Sequence, residues 1–359
     1  MKLLRLLLFP FSLFYGLCVI LRNLGYDLAI FRSRKFKIPV ISVGNLAVGG
    51  AGKSPMTEYL VALLKQDFRI AILSRGYGRK TKGFFKVNTA SLADDVGDEP
   101  LQFKQKFPEL TVAVCEDRVE GIKELNKAHE LIILDDAFQH RAVRPGFSIL
   151  LFDYNSVSHF QWLLPSGNLR EPLYGRKRAN LIIITKTSPD LPDEARRKMI
   201  KRIAPFPHQK IFFSYLEYGK LQSFLYADKE MDLEIIQPQT HILLLTGIAN
   251  PLPLINELKK YSQNIVQHNY PDHHRFSKEN ILKLVADFKS LPGTDKLIIS
   301  TEKDVQRLKT ASIIKLIQDL PVYYLPVKAE IHQPDKAEFN DLIKKYVTEH
   351  AANHRIHKT

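Results

Sequence analysis

The segment that most restricts how this chain can fold is AVGGAGKS, Ala47 to Ser54, set directly after the apolar run IPVISVGN and directly before SPMTEYLVALLK. Small residues let backbone N–H groups close around phosphate oxygens. A Lys-Ser pair at a helix start adds a cation for the β- and γ-phosphates and a hydroxyl for Mg²⁺. Strand, glycine-rich turn and helix in this order are the context a phosphate-binding loop requires. A purely structural turn has no use for the Lys-Ser pair. Nucleotide contacts are therefore expected from Ala47, Val48, Gly49, Gly50, Ala51, Gly52, Lys53 and Ser54. Ala47 stands where the common pattern has glycine, but Gly49, Gly50 and Gly52 remain, and Pro55 is tolerated in the first helical turn.

Such a loop needs a carboxylate at the end of a second apolar strand, and LIILDD, Leu131 to Asp136, supplies two. Asp135 and Asp136, with Ser54, form the expected metal set for Mg²⁺. Without the loop, the same pair would read as an acidic turn. The following AFQHR puts Gln139, His140 and Arg141 at the carboxyl end of the sheet, where open α/β folds bind ligands. Guanine is usually read by an Asn-Lys-x-Asp element. The nearest candidate, Thr185 to Ser188, lacks the Asp, which favours ATP. A second candidate, Thr301-Glu302-Lys303-Asp304, reads either as a lining of an interdomain cleft or as a helix start capped by Thr301.

Beyond residue 37, short β-rich runs alternate with amphipathic segments, the pattern of parallel βαβ units. Expected strands are Ile38–Val43, Arg69–Ser74, Thr111–Cys115, Leu131–Leu134, Ser148–Phe152, Leu181–Thr185, Lys210–Ser214, His241–Thr246, Lys296–Ser300 and Val322–Leu325. Expected helices are Ser54–Gln66, Asp98–Lys106, Arg118–Lys127, Pro253–Tyr261, Lys278–Lys289 and Asp304–Lys309. With 359 residues, the chain exceeds what one core usually supports. The predicted class is α/β: a P-loop NTPase-like parallel sheet domain at 38–216, a connecting segment at 217–239, and a second, smaller α/β domain at 240–348. A membrane-associated helix within 1–37 precedes them and a tail at 349–359 follows. The tail's His350, His354 and His357 are read as a solvated, frayed terminus rather than a metal site.

Fifty-two Lys and Arg against thirty-eight Asp and Glu give +14, so the expected partners are anionic. Two cysteines, Cys18 and Cys115, exclude a disulfide framework and a cysteine zinc site. Leu6 to Leu21 carries no formal charge and is flanked by Lys2 and Arg5 before it and by Arg22, Arg32, Arg34, Lys35 and Lys37 after it. As a helix it reaches roughly 24 Å, short of the ~30 Å hydrocarbon core, and Pro10 and Gly16 are expected to interrupt it. An interfacial or shallowly inserted anchor follows, separable from the catalytic sheet, with the cations against anionic headgroups. A signal peptide would need a small-residue cleavage site, which does not follow the run. A buried first core helix is the remaining alternative.

Together these motifs resemble the tetraacyldisaccharide 4′-kinases of lipid A biosynthesis. The resemblance rests on GNLAVGGAGKSP, LSRGYGR at Leu73 to Arg79, VGDEP at Val96 to Pro100, EDR at Glu116 to Arg118 and LDDAFQH at Leu134 to His140. It continues through LPSGNLREP at Leu164 to Pro172, TGIANP at Thr246 to Pro251, YPDHHRF at Tyr270 to Phe276 and STEKD at Ser300 to Asp304. It implies an ATP- and Mg²⁺-dependent kinase at the cytoplasmic face of the inner membrane. That enzyme phosphorylates the 4′-hydroxyl of an acylated glucosamine disaccharide 1-phosphate to give lipid IVA. It also implies Asp98 and His273 as catalytic residues, with Glu99, Arg118, Gln139, His140, Arg170 and Glu171 as further active-site candidates. By residue type alone, the Asp98-Glu99 pair reads as a helix cap and Asp272-His273-His274 as a solvated turn. No nucleic acid and no obligate protein partner are expected. A membrane-surface P-loop NTPase acting as a switch or targeting factor is the rival reading.

Overall fold

The computed structural model describes residues 7–159, 161–226 and 229–356, with side chains up to residue 350. Lys2, Arg5, Leu6 and His357, parts of the expected anchor and tail, lie outside the described residues. Among the described residues, fifteen strands form two sheets. The first has the order β15-β8-β7-β6-β1-β5-β2-β4-β3, made from β1 (Val40–Asn45), β2 (Ile70–Ser74), β3 (Phe85–Lys86), β4 (Thr111–Val114), β5 (Leu131–Asp135), β6 (Phe147–Asp153), β7 (Leu181–Thr185), β8 (Lys210–Tyr218) and β15 (Val327–Ile331). From β8 through β4 all pairings are parallel, and β15 and β3 close the edges in antiparallel. Burial on both faces explains why these strands read as continuous apolar runs. β1 lies between β5 and β6, so the loop that follows it opens at the middle of the sheet, beside the carboxyl end of β5.

The second sheet has the order β10-β9-β14-β13-β11-β12, made from β9 (Leu221–Ser223), β10 (Glu230–Met231), β11 (His241–Thr246), β12 (Ile265–Asn269), β13 (Lys296–Thr301) and β14 (Val322–Leu325). Nine helices matter below: α1 (Phe9–Asp27), α2 (Lys53–Leu64), α3 (Asp98–Lys106), α4 (Arg118–Leu125), α5 (Asp193–Ile203), α6 (Leu252–Leu258), α7 (Lys278–Ser290), α8 (Glu302–Leu308) and α9 (Asp335–Ile356). α8 packs on α3 and joins the two sheets. Lys106 on α3 bridges Glu58 of α2 (2.7 Å) and Glu302 of α8 (3.0 Å). Burial, with Glu302 adding, pushes the Glu58 carboxyl up to about 7.

The domain boundaries differ from the sequence reading in two places. The expected connection at 217–239 contains the end of β8 and the edge strands β9 and β10 of the second sheet. The chain also returns after β14. Strand β15 pairs with β8, and α9 buries Phe339, Ile343 and Val347 in the core that holds Ile41, Val43 and Leu60. Residues from 327 to 348 thus complete the first sheet rather than the second domain. The expected tail from Glu349 begins inside α9.

Helix α1 runs through both expected breaks. Pro10 sits in its first turn, where no ladder hydrogen bond is lost. At Gly16 the body of the protein comes so near that a Cβ would lie 2.7 Å from Leu163 Cδ1. Ser12, Gly16, Val19 and Gly25 are buried, whereas Phe11, Leu13, Phe14, Leu17, Ile20 and Leu21 are exposed. That polarity is the reverse of a core helix and removes the buried-first-helix alternative. Nor is the helix expected as an anchor separable from the rest of the chain. Ser12 Oγ donates to Leu163 O (3.1 Å), Tyr15 Oη to Arg170 O (2.8 Å), and Asn23 Nδ2 to Glu171 Oε2 (3.1 Å). Among the described residues, no helix is long and apolar enough to cross a membrane.

Phe339 tests the return of the chain. It is fully buried, with ring contacts to Phe212 (5.3 Å) and Tyr59 (5.7 Å). Phe339→Ala is expected to cost about 3–5 kcal/mol in urea unfolding. A loss under about 1 kcal/mol would mean that α9 is an appendage and not core.

Candidate active site

Gly52, in the left-handed region at φ 78°, turns the chain from the loop into α2, so that Lys53 and Ser54 open the helix. Two neighbouring segments hold the loop. The stretch Leu163–Arg170 runs alongside its start, with Val48 N donating to Asn168 O and Arg170 N to Leu46 O, both at 2.7 Å. From the end of β7, Thr185 Oγ1 donates to Ala51 O (2.9 Å) and Lys186 Nζ to Gly50 O. Lys186 also pairs with Asp153 (3.1 Å). Thr185 and Lys186 therefore brace the loop. A cavity of about 350 Å³ opens beside the loop, between Ala47–Ala51, Asp153, Lys186 and Asn250 of the loop after β11. Lys53 and Ser54 do not line it, and Lys53 reaches instead toward the end of β5.

There the two β5 carboxylates diverge. Lys53 Nζ donates to Asn45 Oδ1 (3.3 Å) and lies 3.7 Å from Asp136 Oδ2, while Arg170 Nη1 reaches both Asp136 oxygens at 3.0 and 3.1 Å. Burial works against the Asp136 charge, but Lys53 and Arg170 outweigh it and hold the carboxyl below its usual range. Asp135 is fully buried. Burial first, then Glu99 and Asp136, push it up to about 8. Its Oδ1 takes a long bond from Thr57 Oγ1 (3.5 Å), and its Oδ2 has no hydrogen-bond partner among the described residues. A buried orphan carboxylate oxygen beside a P-loop fits a cation such as Mg²⁺.

The other candidates divide into two groups. Gln139 joins Asp136's partner to Glu171: its Oε1 accepts from Arg170 (3.2 Å), and its Nε2 donates to Glu171 Oε1 (3.1 Å) and Asn45 O (2.8 Å). Glu171 is fully buried and also takes Arg178 on both oxygens at 2.8 Å, so it anchors α1 and the Arg170 segment. Arg118, at the start of α4, is buried with Nη1 on the Cys115 and Glu116 carbonyls (3.3 and 3.2 Å) and with an unpartnered Nε among the described residues. Burial, with Arg75 adding, pulls it down to about 10, which leaves it cationic. Burial and then Arg118 pull His140 down to about 4, so its ring is neutral at pH 7.

Asp98 and His273 meet across the two sheets. Asp98 opens α3, and its Oδ1 accepts from Glu99 N (3.0 Å). His273 sits on the loop after β12 in the left-handed region (φ 59°), strained for a residue with a Cβ, and its Nδ1 lies 3.0 Å from Asp98 Oδ2. Burial opposes the Asp98 charge, but His273, Lys303 and Arg307 prevail and hold the carboxyl well below its usual range. Thr301 does cap α8, accepting from Asp304 N (3.0 Å), and the helix it starts carries Lys303 to Glu99 (3.1 Å). Both readings of the TEKD segment therefore hold. Arg307 lies outside every motif read from the sequence, and Asn45 lies inside GNLAVGGAGKSP with no contact assigned to it there.

The family model described as Tetraacyldisaccharide-1-P 4'-kinase matches residues 4–348. The tetraacyldisaccharide 4'-kinase of Phocaeicola vulgatus is 42% identical over 351 residues, 96% of either chain. That of Flavobacterium psychrophilum is 42% identical over 360 residues, 98% of this chain and all of the relative. Among solved structures, the "apo" form of LpxK from Aquifex aeolicus in complex with ATP superposes with a TM-score of 0.72 at 29% identity, covering 96% of this chain and 99% of that one.

Lys53→Ala is expected to lower turnover by a factor on the order of 10³ or more, since it removes the cation expected to meet the β/γ-phosphates. The circular dichroism spectrum should not change, because Asp136 keeps Arg170. Near wild-type activity in the variant would contradict the P-loop assignment.

Proposed function

The chain belongs to the tetraacyldisaccharide-1-P 4'-kinase family, and from that premise we propose roles for the residues that carry out its reaction. It is an ATP-dependent kinase: the 4′-hydroxyl oxygen of the tetraacyldisaccharide 1-phosphate attacks the γ-phosphorus, and the bond to the β-phosphate oxygen breaks. ADP leaves with the electron pair. The hydroxyl proton needs an acceptor, and Asp98 is our assignment.

The observation that carries this assignment is the Asp98–His273 contact of 3.0 Å, in which a half-buried histidine after β12 meets a buried carboxylate at the start of α3. One Asp98 oxygen is held by His273, while the other takes only its neighbour's N–H among the described residues and keeps a lone pair for the acceptor hydroxyl. A carboxylate held this far down is a weak base, yet it is ionised at neutral pH. Phosphoryl transfer through a loose transition state requires little proton movement before the leaving bond breaks. Lys53 neutralises phosphate charge, and Arg118 and Arg170 are the cations for the transferring group or the substrate's 1-phosphate. Mg²⁺, when bound by Ser54, Asp135 and Asp136, offsets charge on the β- and γ-phosphate oxygens. Asp98→Ala and His273→Ala are each expected to lower kcat by about 10² to 10⁴ with a modest change in KM for ATP. The double variant should be little worse than the poorer single one. Multiplied losses would mean independent roles, and normal kcat in His273→Ala would remove the histidine from the mechanism.

The acceptor is an acylated lipid, and α1 supplies its surface. Phe11, Leu13, Phe14, Leu17, Ile20 and Leu21 are exposed, and Arg22, Arg32, Arg34, Lys35 and Lys37 follow, also exposed. That combination suits shallow insertion under anionic headgroups, on the cytoplasmic face where ATP is available. The contacts from Tyr15 and Asn23 to Arg170 and Glu171 support a substrate site at the same surface. A Phe11→Ser/Phe14→Ser/Leu17→Ser/Leu21→Ser variant should lose most sedimentation with anionic liposomes while its KM for ATP stays unchanged. Undiminished sedimentation would contradict a membrane role for α1.

A further inference from the structure

The Asp98–His273 pair does not stand alone. Arg307, near the end of the short helix α8, brings Nε to 3.1 Å from Asp98 Oδ2. Its Nη1 donates to Gly247 O (3.2 Å) and His274 O (3.0 Å) and lies 3.2 Å from Asp304 Oδ1. The guanidinium is therefore fixed by the loop after β11, by the loop that carries His273 and by its own helix before it meets Asp98. Lys303 Nζ lies 3.1 Å from Glu99, 3.6 Å from Asp272 and 4.0 Å from Asp98 Oδ2, and it contacts His273 Nε2 at 3.2 Å. An ammonium has donors only, so His273 Nε2 must accept and the ring proton sits on Nδ1, facing Asp98. Protonating Nε2 would set an N–H against the ammonium.

We propose that Arg307 and Lys303 are positioning residues of the phosphoryl-transfer site, Arg307 fixing the orientation of the Asp98 carboxylate and Lys303 fixing the tautomer of His273. The proposal rests on the assignment of Asp98 as proton acceptor. It makes His273 an orienting group that keeps its own proton, and it makes docking of the second sheet part of the catalytic geometry. Lys303 is suited to this. Burial works against its charge, but Glu99, Asp98 and Asp272 outweigh it, so it stays an ammonium throughout the working range.

The charged and titratable groups facing Asp98 are Glu99 on its own helix, Lys303 and Arg307 on α8, and Asp272 and His273 on the loop after β12. Because burial alone would raise the Asp98 carboxyl, removing either cation must move it upward. Arg307→Met and Lys303→Met are expected to lower kcat by a factor on the order of 10 to 100. The acid limb of their kcat–pH profiles should also move to higher pH, since protonated Asp98 cannot accept. Arg307→Lys should restore part of the rate and of the profile. ¹⁵N NMR of the histidine rings tests the tautomer apart from catalysis: wild type should show His273 neutral with Nδ1–H at pH 7, and Lys303→Met should lose that state. A purely structural ion pair would instead give a rate loss that tracks a lower Tm with an unmoved acid limb, which would overturn the proposal, as would an Nε2–H tautomer in wild type. If Asp98→Ala kept normal kcat, the acceptor assignment would fail while the NMR result stood.

Discussion

Burying a carboxylate costs several kcal/mol unless cations or hydrogen-bond donors replace its water, and this chain buries Asp98 between two sheets. The donors come from both sides: its own helix gives the Glu99 N–H, while His273, Lys303 and Arg307 come from the second sheet. Neither unit alone can keep Asp98 ionised at this depth. Lys106 adds a second bridge, from α3 and α2 to Glu302, along the same α3–α8 contact. The carboxylate we propose as proton acceptor and the joint between the sheets are therefore one feature.

The site contains a second buried carboxylate with the opposite bias. Asp135 has lost its water and gained Glu99 and Asp136 as neighbours, with only Lys53 and Arg118 to offset them, so it is pushed up where Asp98 is pulled down. Pairs of carboxyls driven apart by their surroundings mark a division of tasks. The group short of positive charge suits a cation that arrives with the nucleotide. The group already surrounded by protein cations suits a hydrogen bond from an alcohol. Asp136, held by Lys53 and Arg170, connects the P-loop to the Gln139–Glu171 network and through Asn23 to α1, so the phosphate site and the apolar helix share one chain of contacts.

Much of this was legible in the sequence because it is local. The parallel strands are buried on both faces and read as apolar runs, so Leu181–Thr185 and His241–Thr246 match their expected bounds. The glycine-rich loop needs its neighbours in order and advertises itself. What was not legible is long-range. Val327–Ile331 and α9 carry no signal saying which sheet they join, because pairing with β8 is decided by an edge more than a hundred residues earlier. Pro10 reads as a breaker, yet its place in the first turn makes it harmless. The polarity of α1 depends on Leu163 and Arg170 lying beneath it. Arg307 is one of 52 cations, and only the docking of α8 distinguishes it.

The destination of the γ-phosphoryl group is the most direct measure of what this site does. Full-length protein in mixed micelles with Mg²⁺, γ-labelled ATP and tetraacyldisaccharide 1-phosphate should move the label to the lipid, and ³¹P–¹H correlation of the product should place the new phosphate on the 4′ oxygen. Label released only as inorganic phosphate, or attached at another hydroxyl, would contradict a kinase site assembled around Asp98.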